Sequence, residues 1–526
     1  MRDQGAEAAG GRLVLRSIAI ATLGLALASL AWRAAQVLGA AVAAIPFPLS
    51  LDYGEGIVLQ QALMITGPRA YGAITELPFI VFHYPPIYHL VVRAVAAIAG
   101  GSDAALVTAG RTVSLLGAIA AAAAVGTLAH SLTVEQLGRG KRVVAGVAAG
   151  LLVLGTWPFA FWLPFARVDM LALAFTMAGL ALAVRAGQSR VRLHGAVLLF
   201  VLAVFTKQTS IAAPAAFVIA LLMTDRRRAL EVVASGLAVS LLLLGVAQWY
   251  TDGGFLRHVV GYNVNRFLPE RLLLLVAPLI QHGPMLLAVL IGLLARSADP
   301  QQRIDDSPLR TRAWTVVLLH FGLCTIMLAL IGKSGSSANY LLEWCCSVAV
   351  LAGMALGRAM EGVSAPSRSV LAGPAGAVLI GAALMVQGLL LPDPRHPRLR
   401  DPAQVDQVAA TMLGLVREAN EPPISDDMVL VIRGGKQVPW EPAIFAELAS
   451  LGRWNEALII DAIRAGRISM AVTEGARGSY QFDSRYNPAV ADAMDAAWPQ
   501  KARLGWFTLH LPADAPLPPG AVPGLR

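Results

Sequence analysis

Long apolar runs alternate with short polar loops along most of this chain. About twelve apolar stretches, most of them long enough to form a membrane-spanning helix, follow one another between Leu13 and Leu391. They are centred near residues 29, 93, 119, 153, 177, 199, 216, 240, 283, 322, 347 and 381. Because about twenty apolar helical residues span the roughly 30 Å hydrocarbon core of a bilayer, the pattern predicts an α-helical polytopic membrane part over residues 1–391, with about 11 to 13 transmembrane helices.

The pattern changes after residue 391. A polar, proline-rich segment, 393–402, is followed by residues whose apolar positions alternate between strand-like and helical spacing. This spacing predicts helices at Pro442 to Leu451, Asn455 to Ala465 and Pro488 to Ala497, and strands at Met428 to Ile432, Ile468 to Val472 and Gly505 to Leu511. Alternating strands and helices are typical of an α/β domain, which we expect to occupy residues 392–526.

The composition is that of a membrane protein, and it argues against a nucleic-acid-binding protein and a disulfide-stapled domain. Apolar residues make up 56% of the 526 residues and charged residues 14%, and the mean hydropathy is +0.62. Much of the net charge of +9 comes from short basic loops between apolar runs, at 139–142, 185–192 and 226–228. Such loops orient membrane helices, so they indicate no nucleic-acid partner. The 3 cysteines all lie inside apolar runs, which excludes a disulfide-stapled C-terminal region and a CxxC metal pair.

The basic loops also predict the orientation of the chain. Loops 185–194, 225–229, 296–312 and 358–369 are basic or mixed and are expected in the cytoplasm, as is the N-terminus. Residues after 391 then lie on the opposite, outer face, which requires an odd number of crossings. Twelve is even, and the conflict lies between residues 46 and 142. Either the short stretch Ile87 to Ala99 is re-entrant, leaving eleven crossings, or one crossing has been missed, making thirteen.

Nearly all the unusual polar residues fall on the predicted outer face. Asp52 and Glu55 lie in the first outer loop, about 46–86, and being three positions apart they would share one face of a helix that begins there. Carboxylates are costly near hydrocarbon, and membrane proteins that keep them there usually use them. The other candidates are Tyr84, Arg167, Asp169, Lys207, Gln208, His258, Asn263, Asn265, Arg266, Lys333, Asn339, Tyr340 and Glu343. A carboxylate can accept a hydroxyl proton and fixed cations stabilise charge on a departing phosphate, so this set suits a substrate that pairs a hydroxyl nucleophile with a phosphate leaving group.

The charged candidates also have structural interpretations. Asp52 and Glu55 could cap an interfacial helix, since acidic residues favour helix N-termini. Arg167 and Asp169 could form an ion pair with each other, and Lys207 could reach the lipid headgroups. These alternatives stay open from the sequence alone.

The aromatic and histidine candidates are less specific. The Tyr84-Pro85-Pro86 corner could be a turn that ends one element and starts the next. His83, His89 and His258 could bind a metal, but no HxxxH spacing supports this. A glycine-rich phosphate loop or Walker pattern is not evident either.

The order of these features resembles the integral-membrane glycosyltransferases of the GT-C class, in particular the bacterial relatives of protein O-mannosyltransferases and of aminoarabinose transferases. In that class an acidic motif, usually Asp-Glu, follows the first helix, and a helix ending in glycine and a Tyr-Pro-Pro turn come next. The matching segments here are DYGEGIVLQQALMITG and HYPPIY, then ARVDMLAL, FTKQT and GSSANYLLE, and a C-terminal outer domain. Glu55 stands at the motif's glutamate, whereas the expected aspartate is Gly54 and Asp52 lies two residues earlier, so which carboxylate is the base stays open.

The resemblance implies transfer of a sugar, usually with inversion, from a polyprenyl-phosphate donor to an acceptor hydroxyl on the outer face of the bacterial cytoplasmic membrane. The acceptor would be a lipid, a glycan or a protein. The catalytic residues would be Asp52, Glu55 and Asp169. Those that bind the donor phosphate or substrate would be Arg167, Lys207, Gln208, Arg266, Lys333, Asn339, Tyr340 and Tyr84, with Lys207 and Arg266 the first candidates for the phosphate. In many families of the class a divalent cation such as Mg²⁺ or Mn²⁺ assists, whereas aminoarabinose-type relatives need not use one for the chemistry, so the metal requirement stays open.

Other functions are compatible with parts of the pattern. A lipid-linked sugar flippase or transporter would place its ionisable residues in helices near the bilayer midplane and commonly shows inverted repeats. Here the acids lie in outer loops, no repeat is evident, and Arg93 and Arg111 are the charges within helices. A polymerase or ligase of surface polysaccharide would use similar chemistry with a larger acceptor, and a scaffold whose soluble domain binds a partner is the remaining alternative.

Overall fold

The computed structural model describes residues 2–133, 138–297, 308–364, 369–399 and 401–524. Within these ranges the helices up to residue 391 are α1 Arg2–Ala44, α2 Tyr53–Met64, α3 Ile87–Ile98, α4 Asp103–Leu132, α5 Gly138–Gly155, α6 Trp157–Trp162, α7 Asp169–Val184, α8 Arg190–Val204, α9 Ala212–Thr224, α10 Arg226–Tyr250, α11 Gly254–Leu256, α12 Val276–Gln281, α13 Gly283–Ser297, α14 Pro308–Met327, α15 Leu341–Ser364 and α16 Pro374–Leu389. Every predicted apolar stretch falls on one of these helices.

Several helices are suited to a bilayer. Among the described residues, 5 helices are long and apolar enough to cross a membrane, namely Gly10–Ala44, Asp103–Leu132, Arg226–Tyr250, Thr311–Gly332 and Ala338–Val363. A sixth span is formed if the pair Pro269–Gln281 and Gly283–Ser297, bent by 67°, is one crossing. Shorter apolar helices are Ile87–Ile98, Asp169–Val184, Ala212–Thr224 and Pro374–Leu389. The chain is therefore a multi-pass membrane protein.

Helix α3 is the element on which the crossing count depends. Its 12 residues are about 18 Å long at about 1.5 Å per residue, well short of the roughly 30 Å of hydrocarbon. Arg93 of α3 donates to the carbonyl of Leu63 in α2 at 2.9 Å, and Tyr88 donates to the carbonyl of Gly110 in the first turns of α4 at 3.0 Å. Helix α3 thus lies beside α2 and the start of α4, at one end of the bundle.

Small residues let the helices that carry the polar residues pack closely. A Cβ on Gly126 of α4 would lie 2.8 Å from the carbonyl oxygen of Gly146 in α5, and a Cβ on Gly117 would lie 2.8 Å from the backbone of Met170 in α7. Such close approach is how helices associate in lipid, where little hydrophobic force acts between them. The glycines of the apolar runs therefore position α4 against α7, whose first residue is Asp169.

The C-terminal part contains a small mixed sheet. Its helices are α17 Pro402–Glu418, α18 Met428–Arg433, α19 Pro442–Ser450, α20 Ala457–Arg464, α21 Tyr480–Asp483 and α22 Pro488–Ala497, and its strands are β1 Ile424–Ser425, β2 Ala471–Glu474, β3 Gln500–Leu504, β4 Phe507–Leu511 and β5 Val522–Pro523. The strand order is β1-β2-β4-β3-β5. Strands β1 and β2 are parallel and the other pairs antiparallel, and Gly505, with φ 59°, supplies the left-handed residue of the β3–β4 turn.

Three helices predicted in this part are confirmed and one predicted strand is wrong. Met428–Arg433 is a helix, not a strand, and every side chain from Met428 to Ile432 is buried. A short run that is apolar throughout has no period that separates a buried strand from a buried helix. The signal for a helix was Asp427, whose carboxylate caps the helix by accepting from the amide of Leu430 at 3.0 Å.

Helix α17 was not predicted at all. Its start, Asp401 followed by Pro402, lies at the end of the segment interpreted as a linker. Asp at the N-cap and Pro at the first helical position are favourable start signals, and here the proline-rich surroundings obscured them. The two predicted strands at 468–472 and 505–511 overlap β2 and β4.

The C-terminal part packs directly on the first outer loop. Both the amide and the hydroxyl of Ser50 donate to the carboxylate of Asp427, at 2.9 Å and 2.7 Å. The amide of Phe79 donates to the carbonyl of Pro439 at 2.8 Å. Ser50 lies two residues before Asp52, so the C-terminal part braces the loop that carries the first candidate carboxylate.

Candidate active site

Asp52 lies at the N-cap of α2 with an extended backbone. Its Oδ2 accepts from the amide of Gly54 at 3.0 Å and from the guanidinium of Arg167 at 2.9 Å. The Asp52 side chain is 24% exposed. Burial raises the pKa of Asp52 above its ordinary value, with Arg167 opposing the shift. The carboxylate therefore combines one cationic partner, partial access to solvent and an increased affinity for a proton.

Glu55 has a different environment, although it is only one helical turn away. It is 0% exposed and accepts four hydrogen bonds, from the amides of Leu51 and Ala166, both at 2.7 Å, and from two nitrogens of Arg111, both at 3.0 Å. Burial by itself would raise the pKa of Glu55, but Arg111 and the two amides outweigh it and hold the pKa below the ordinary value. The expectation that Asp52 and Glu55 share one helix face is therefore wrong, because Asp52 caps the helix and Glu55 points into the bundle.

Arg111 stood out in the sequence only as a charge within a helix and was not among the candidate site residues. Besides Glu55, its guanidinium donates to the carbonyls of Ala44, Phe47 and Leu49, at 3.1, 2.6 and 2.7 Å. These carbonyls follow the end of α1, so one buried arginine joins α4 to the chain that leads into the outer loop. An arginine inside a long apolar helix was the available signal, since such a charge is rare unless it has a partner.

A third ion pair lies at the start of α7. Asp169 Oδ1 accepts from Lys207 Nζ at 2.6 Å and from the side-chain amide of Asn339 at 3.0 Å. Lys207 Nζ also lies 5.2 Å from the ring centroid of Tyr340. Four residues named from distant parts of the sequence thus meet here. The alternative in which Lys207 only reaches the headgroups is wrong.

Arg167 connects the acidic loop to the Tyr-Pro-Pro corner. Its guanidinium pairs with Asp52 and donates to the hydroxyl of Tyr84 at 3.3 Å. The side-chain amide of Gln208 donates to the carbonyl of His83 at 2.9 Å. Arg167 and Asp169 each have a different partner, so the alternative of a mutual ion pair is also wrong. The Tyr84-Pro85-Pro86 corner connects two elements, as the structural alternative predicted. It also places the hydroxyl of Tyr84 against Arg167.

A cleft of about 480 Å³, partly open to solvent, lies beside Asp169. Two buried polar atoms of its wall, Asp169 Oδ2 and Asn339 Oδ1, have no hydrogen-bond partner among the described residues. Buried polar atoms without a partner are rare in native structures and are expected where a ligand or water binds. The cleft is lined by Asp169, Ala172, Leu173, Thr176, Lys207, Thr209, Ser210, Cys324, Met327, Asn339, Tyr340, Leu342 and Glu343.

Two candidates for substrate binding, Arg266 and Lys333, lie outside the cleft. The backbone amide of Arg266 donates to Glu447 at 3.0 Å and its guanidinium to Ser450 at 3.1 Å, so this arginine contacts helix α19 of the C-terminal part. Lys333 pairs through its backbone with Phe267 in an isolated bridge. Neither Arg266 nor Lys333 lines the cleft.

His258 has a structural role and is not available as a metal ligand. Its Nδ1 accepts from the amide of Phe82 at 3.0 Å, and its Nε2 donates to the carbonyl of Gly72 at 2.7 Å. Both ring nitrogens are therefore used in holding the first outer loop. The histidine fixes the segment that leads to His83 and Tyr84.

Asp52 and Asp169 do not fit a Mg²⁺ or Mn²⁺ site as they stand. Such a cation needs several oxygen ligands directed at one point. Asp52 and Asp169 instead each face a cation, Arg167 at 2.9 Å and Lys207 at 2.6 Å. Neither carboxylate is therefore assigned as a metal ligand.

Comparisons with known proteins identify the fold. No family model matches the sequence, and no curated protein matches it. Among solved structures, ArnT from Cupriavidus metallidurans, an aminoarabinose transferase, matches in the apo state with a TM-score of 0.55 and 14% identity over 95% of this chain and 98% of ArnT. The same protein bound to undecaprenyl phosphate matches with a TM-score of 0.57 and 15% identity over 95% and 97% of the two chains.

An archaeal enzyme is also similar. The oligosaccharyltransferase AglB from Archaeoglobus fulgidus, in complex with an inhibitory peptide and a dolichol-phosphate, matches with a TM-score of 0.51 and 12% identity over 94% of this chain and 76% of AglB. At such low identity the likeness concerns the fold, and it extends over nearly the whole chain. This protein has the fold of the GT-C membrane glycosyltransferases, the class that its sequence resembles.

Proposed function

We propose that the protein is an inverting glycosyltransferase that moves a sugar from a polyprenyl-phosphate donor to an acceptor hydroxyl. The observation that carries the proposal is the pair of carboxylate–cation contacts, Asp52 with Arg167 and Asp169 with Lys207. Arg167 and Asp169 are two residues apart, so both contacts lie at the same helix start. A partly exposed carboxylate paired with Arg167, together with a second cation, Lys207, held by Asp169, supplies the groups that hydroxyl attack on a phosphate-linked sugar requires.

The donor class is supported by the structural neighbours. ArnT is described with bound undecaprenyl phosphate and AglB with bound dolichol-phosphate, both of them polyprenyl phosphates. In the present chain the cations able to face such a phosphate are Lys207, whose side chain is 12% exposed, and Arg167, at 15%. Each is held in place by a carboxylate, so little side-chain entropy is lost when the phosphate binds.

The reaction follows from this arrangement. Asp52 accepts the proton of the acceptor hydroxyl, and the hydroxyl oxygen attacks the anomeric carbon of the donor. The bond between that carbon and the phosphate oxygen breaks, and its electron pair leaves with the polyprenyl phosphate. Lys207 and Arg167 stabilise the charge that develops on the leaving phosphate. Asp169 and Asn339 position Lys207, and Glu55 takes no part in proton transfer because its four hydrogen bonds occupy it.

The membrane arrangement we propose has eleven crossings. We place helix α3, which contacts α2 and the start of α4, at the outer end of the bundle as a re-entrant helix, and this leaves an odd number of crossings. The N-terminus is then cytoplasmic, and the region after residue 391 is an extracytoplasmic domain at the outer face of the bacterial cytoplasmic membrane. Cysteine labelling of single-cysteine variants at the exposed residues Ala99 and Ala457 tests this. Both positions should react with an impermeant reagent added from outside, and protection of Ala99→Cys would contradict the arrangement.

Sugar transfer itself is the first test of the function. Purified protein in liposomes is given a panel of radiolabelled polyprenyl-phosphate sugars and a cell-envelope extract as acceptor. Label should pass to an acceptor fraction, or slowly to water, in the wild type. Donor binding or transbilayer movement of labelled lipid without any transfer would instead support a flippase.

We expect Lys207→Gln to weaken donor phosphate binding or leaving-group stabilisation. Loss of one charged donor at a developing anion typically costs about 10²–10³ in kcat. Lys333→Gln is the matched control, since Lys333 belongs to the same set of candidate lysines but does not line the cleft. The measurement is kcat and KM for the donor. Equal losses in both variants would show that the lysine of the cleft has no specific role.

The pH dependence of the rate should report Asp52. Because a base must be deprotonated, activity falls as the pH falls through the pKa of Asp52, which burial places above the ordinary value of 3.8. Arg167→Met removes the cation that lowers this pKa, so the acid limb of kcat/KM should move to higher pH. A limb that stays in place, or moves to lower pH, would contradict the assignment of Asp52.

A further inference from the structure

We propose that His320, Cys324 and Glu343 form a binding site for a transition-metal cation of the Zn²⁺ type in the wall of the cleft. The site is separate from the carboxylate–cation pairs of Asp52 and Asp169. It does not depend on the proposed glycosyl transfer.

The three side chains converge from two helices. His320 and Cys324 are four residues apart on α14 and so lie on one face of it, and Glu343 lies in the first turn of α15. Their ligand atoms are all within 4.8 Å of one another, and His320 Nε2 lies 2.9 Å from Glu343 Oε1. This is the one group of three such ligands found among the described residues.

The distances are close to those of a tetrahedral site. With metal–ligand bonds of about 2.0–2.3 Å, tetrahedral ligand atoms are about 3.4–3.6 Å apart. Reaching this spacing requires the histidine and glutamate atoms, which are 2.9 Å apart, to separate by about half an ångström, and the sulfur, which lies within 4.8 Å of both, to take the same spacing. Changes of this size need side-chain adjustment and no movement of the helices.

The ligand types select the cation. Thiolate and imidazole favour Zn²⁺ and its borderline neighbours over Mg²⁺ or Mn²⁺, which prefer oxygen ligands. His320 and Cys324 are 1% and 3% exposed, so the ligands are shielded from bulk water. Cys324 and Glu343 also line the cleft, which provides both a route for the ion and a position for a fourth ligand. With three protein ligands, that fourth position is open to water or to an oxygen of a molecule in the cleft.

Cobalt substitution tests the site without any assay of activity. The full-length protein, purified in detergent and treated with a chelator, is titrated with Co²⁺. A bound thiolate gives a sulfur-to-cobalt charge-transfer band in the near ultraviolet, and tetrahedral Co²⁺ gives visible bands. We expect about one equivalent of Co²⁺ with both features, and displacement by Zn²⁺.

Two variants and one control decide the location. Cys324→Ser should remove the charge-transfer band, and His320→Ala should weaken Co²⁺ binding by at least about tenfold. Cys345→Ala is the matched control, since Cys345 is buried on the same helix as Glu343 but contacts His282, at 3.8 Å, outside the group. It should bind Co²⁺ like the wild type. Absence of a saturable charge-transfer band in the wild type, or its loss in Cys345→Ala with retention in Cys324→Ser, would overturn the proposal.

Discussion

Replacing Asp52 by asparagine should abolish most sugar transfer while leaving the protein folded. Asparagine keeps the size of the side chain and an oxygen for the amide of Gly54, but it cannot accept the proton of the acceptor hydroxyl. Loss of a positioned general base typically costs about 10²–10⁴ in rate. Because the Asp52 side chain is 24% exposed and asparagine can keep the cap on the amide of Gly54, we expect a smaller change in melting temperature than for the fully buried Glu55. The measurement is kcat for transfer, with the melting temperature in detergent determined in parallel.

Glu55→Gln is the internal control for this assignment. Both variants remove one carboxylate from the same outer loop, so they separate a base from a scaffold residue. If Glu55 were the base, folded Glu55→Gln would lose transfer completely and Asp52→Asn would keep it. We expect the reverse order of activity per folded molecule.

The second large effect should be on stability. Glu55→Gln leaves the Arg111 guanidinium buried beside a neutral partner, and removing one partner of a buried ion pair typically destabilises a protein by about 3–5 kcal/mol. The Glu55 and Arg111 side chains are both 0% exposed, so solvent screens little of this effect. We therefore expect a clear drop in melting temperature. The measurement is thermal unfolding in detergent, monitored by intrinsic tryptophan fluorescence.

The double variant Glu55→Gln, Arg111→Met tests whether the unpaired charge of Arg111 causes the loss of stability in Glu55→Gln. Removing both charges leaves no unpaired ion, so part of the lost stability should return. Recovery should be incomplete, because the carbonyls of Ala44, Phe47 and Leu49 also lose the donor that Arg111 supplies. A double variant less stable than Glu55→Gln by the full effect of Arg111→Met alone would show that the two residues act independently.

These two predictions separate two functions that the acidic loop combines. Glu55 and Arg111 hold the end of α1, the start of α2 and α4 together, and Ala166 adds the segment before α7 through its amide. Asp52 and Arg167 are placed at the edge of that scaffold, where they retain access to solvent. A fixed scaffold under a partly exposed base keeps the base oriented, which is the condition for efficient proton transfer.

The sequence by itself determined the class of the protein and most members of the site. Apolar run length is a local property, so the twelve stretches and the change after residue 391 could be found without a structure. The polar residues of the outer loops stood out for the same reason, and the structure pairs Asp52 with Arg167, and Asp169 with Lys207 and Asn339. Local patterns failed where burial is complete, as in Met428–Arg433, since such a run has no amphipathic period.

Only the tertiary structure decided which carboxylate of the acidic loop is fully buried and which keeps access to solvent. Glu55 is neutralised by Arg111, 56 residues away, and Asp52 faces Arg167, 115 residues away. Such pairings depend on how α4 and α7 pack against the outer loop, which no spacing within one segment encodes. The same holds for Arg266, whose contacts with Glu447 and Ser450 arise from the docking of the C-terminal part. The residue type marks a candidate. Whether that residue acts as a base, holds the structure together or lies at the surface depends on its environment, which is formed by distant parts of the chain.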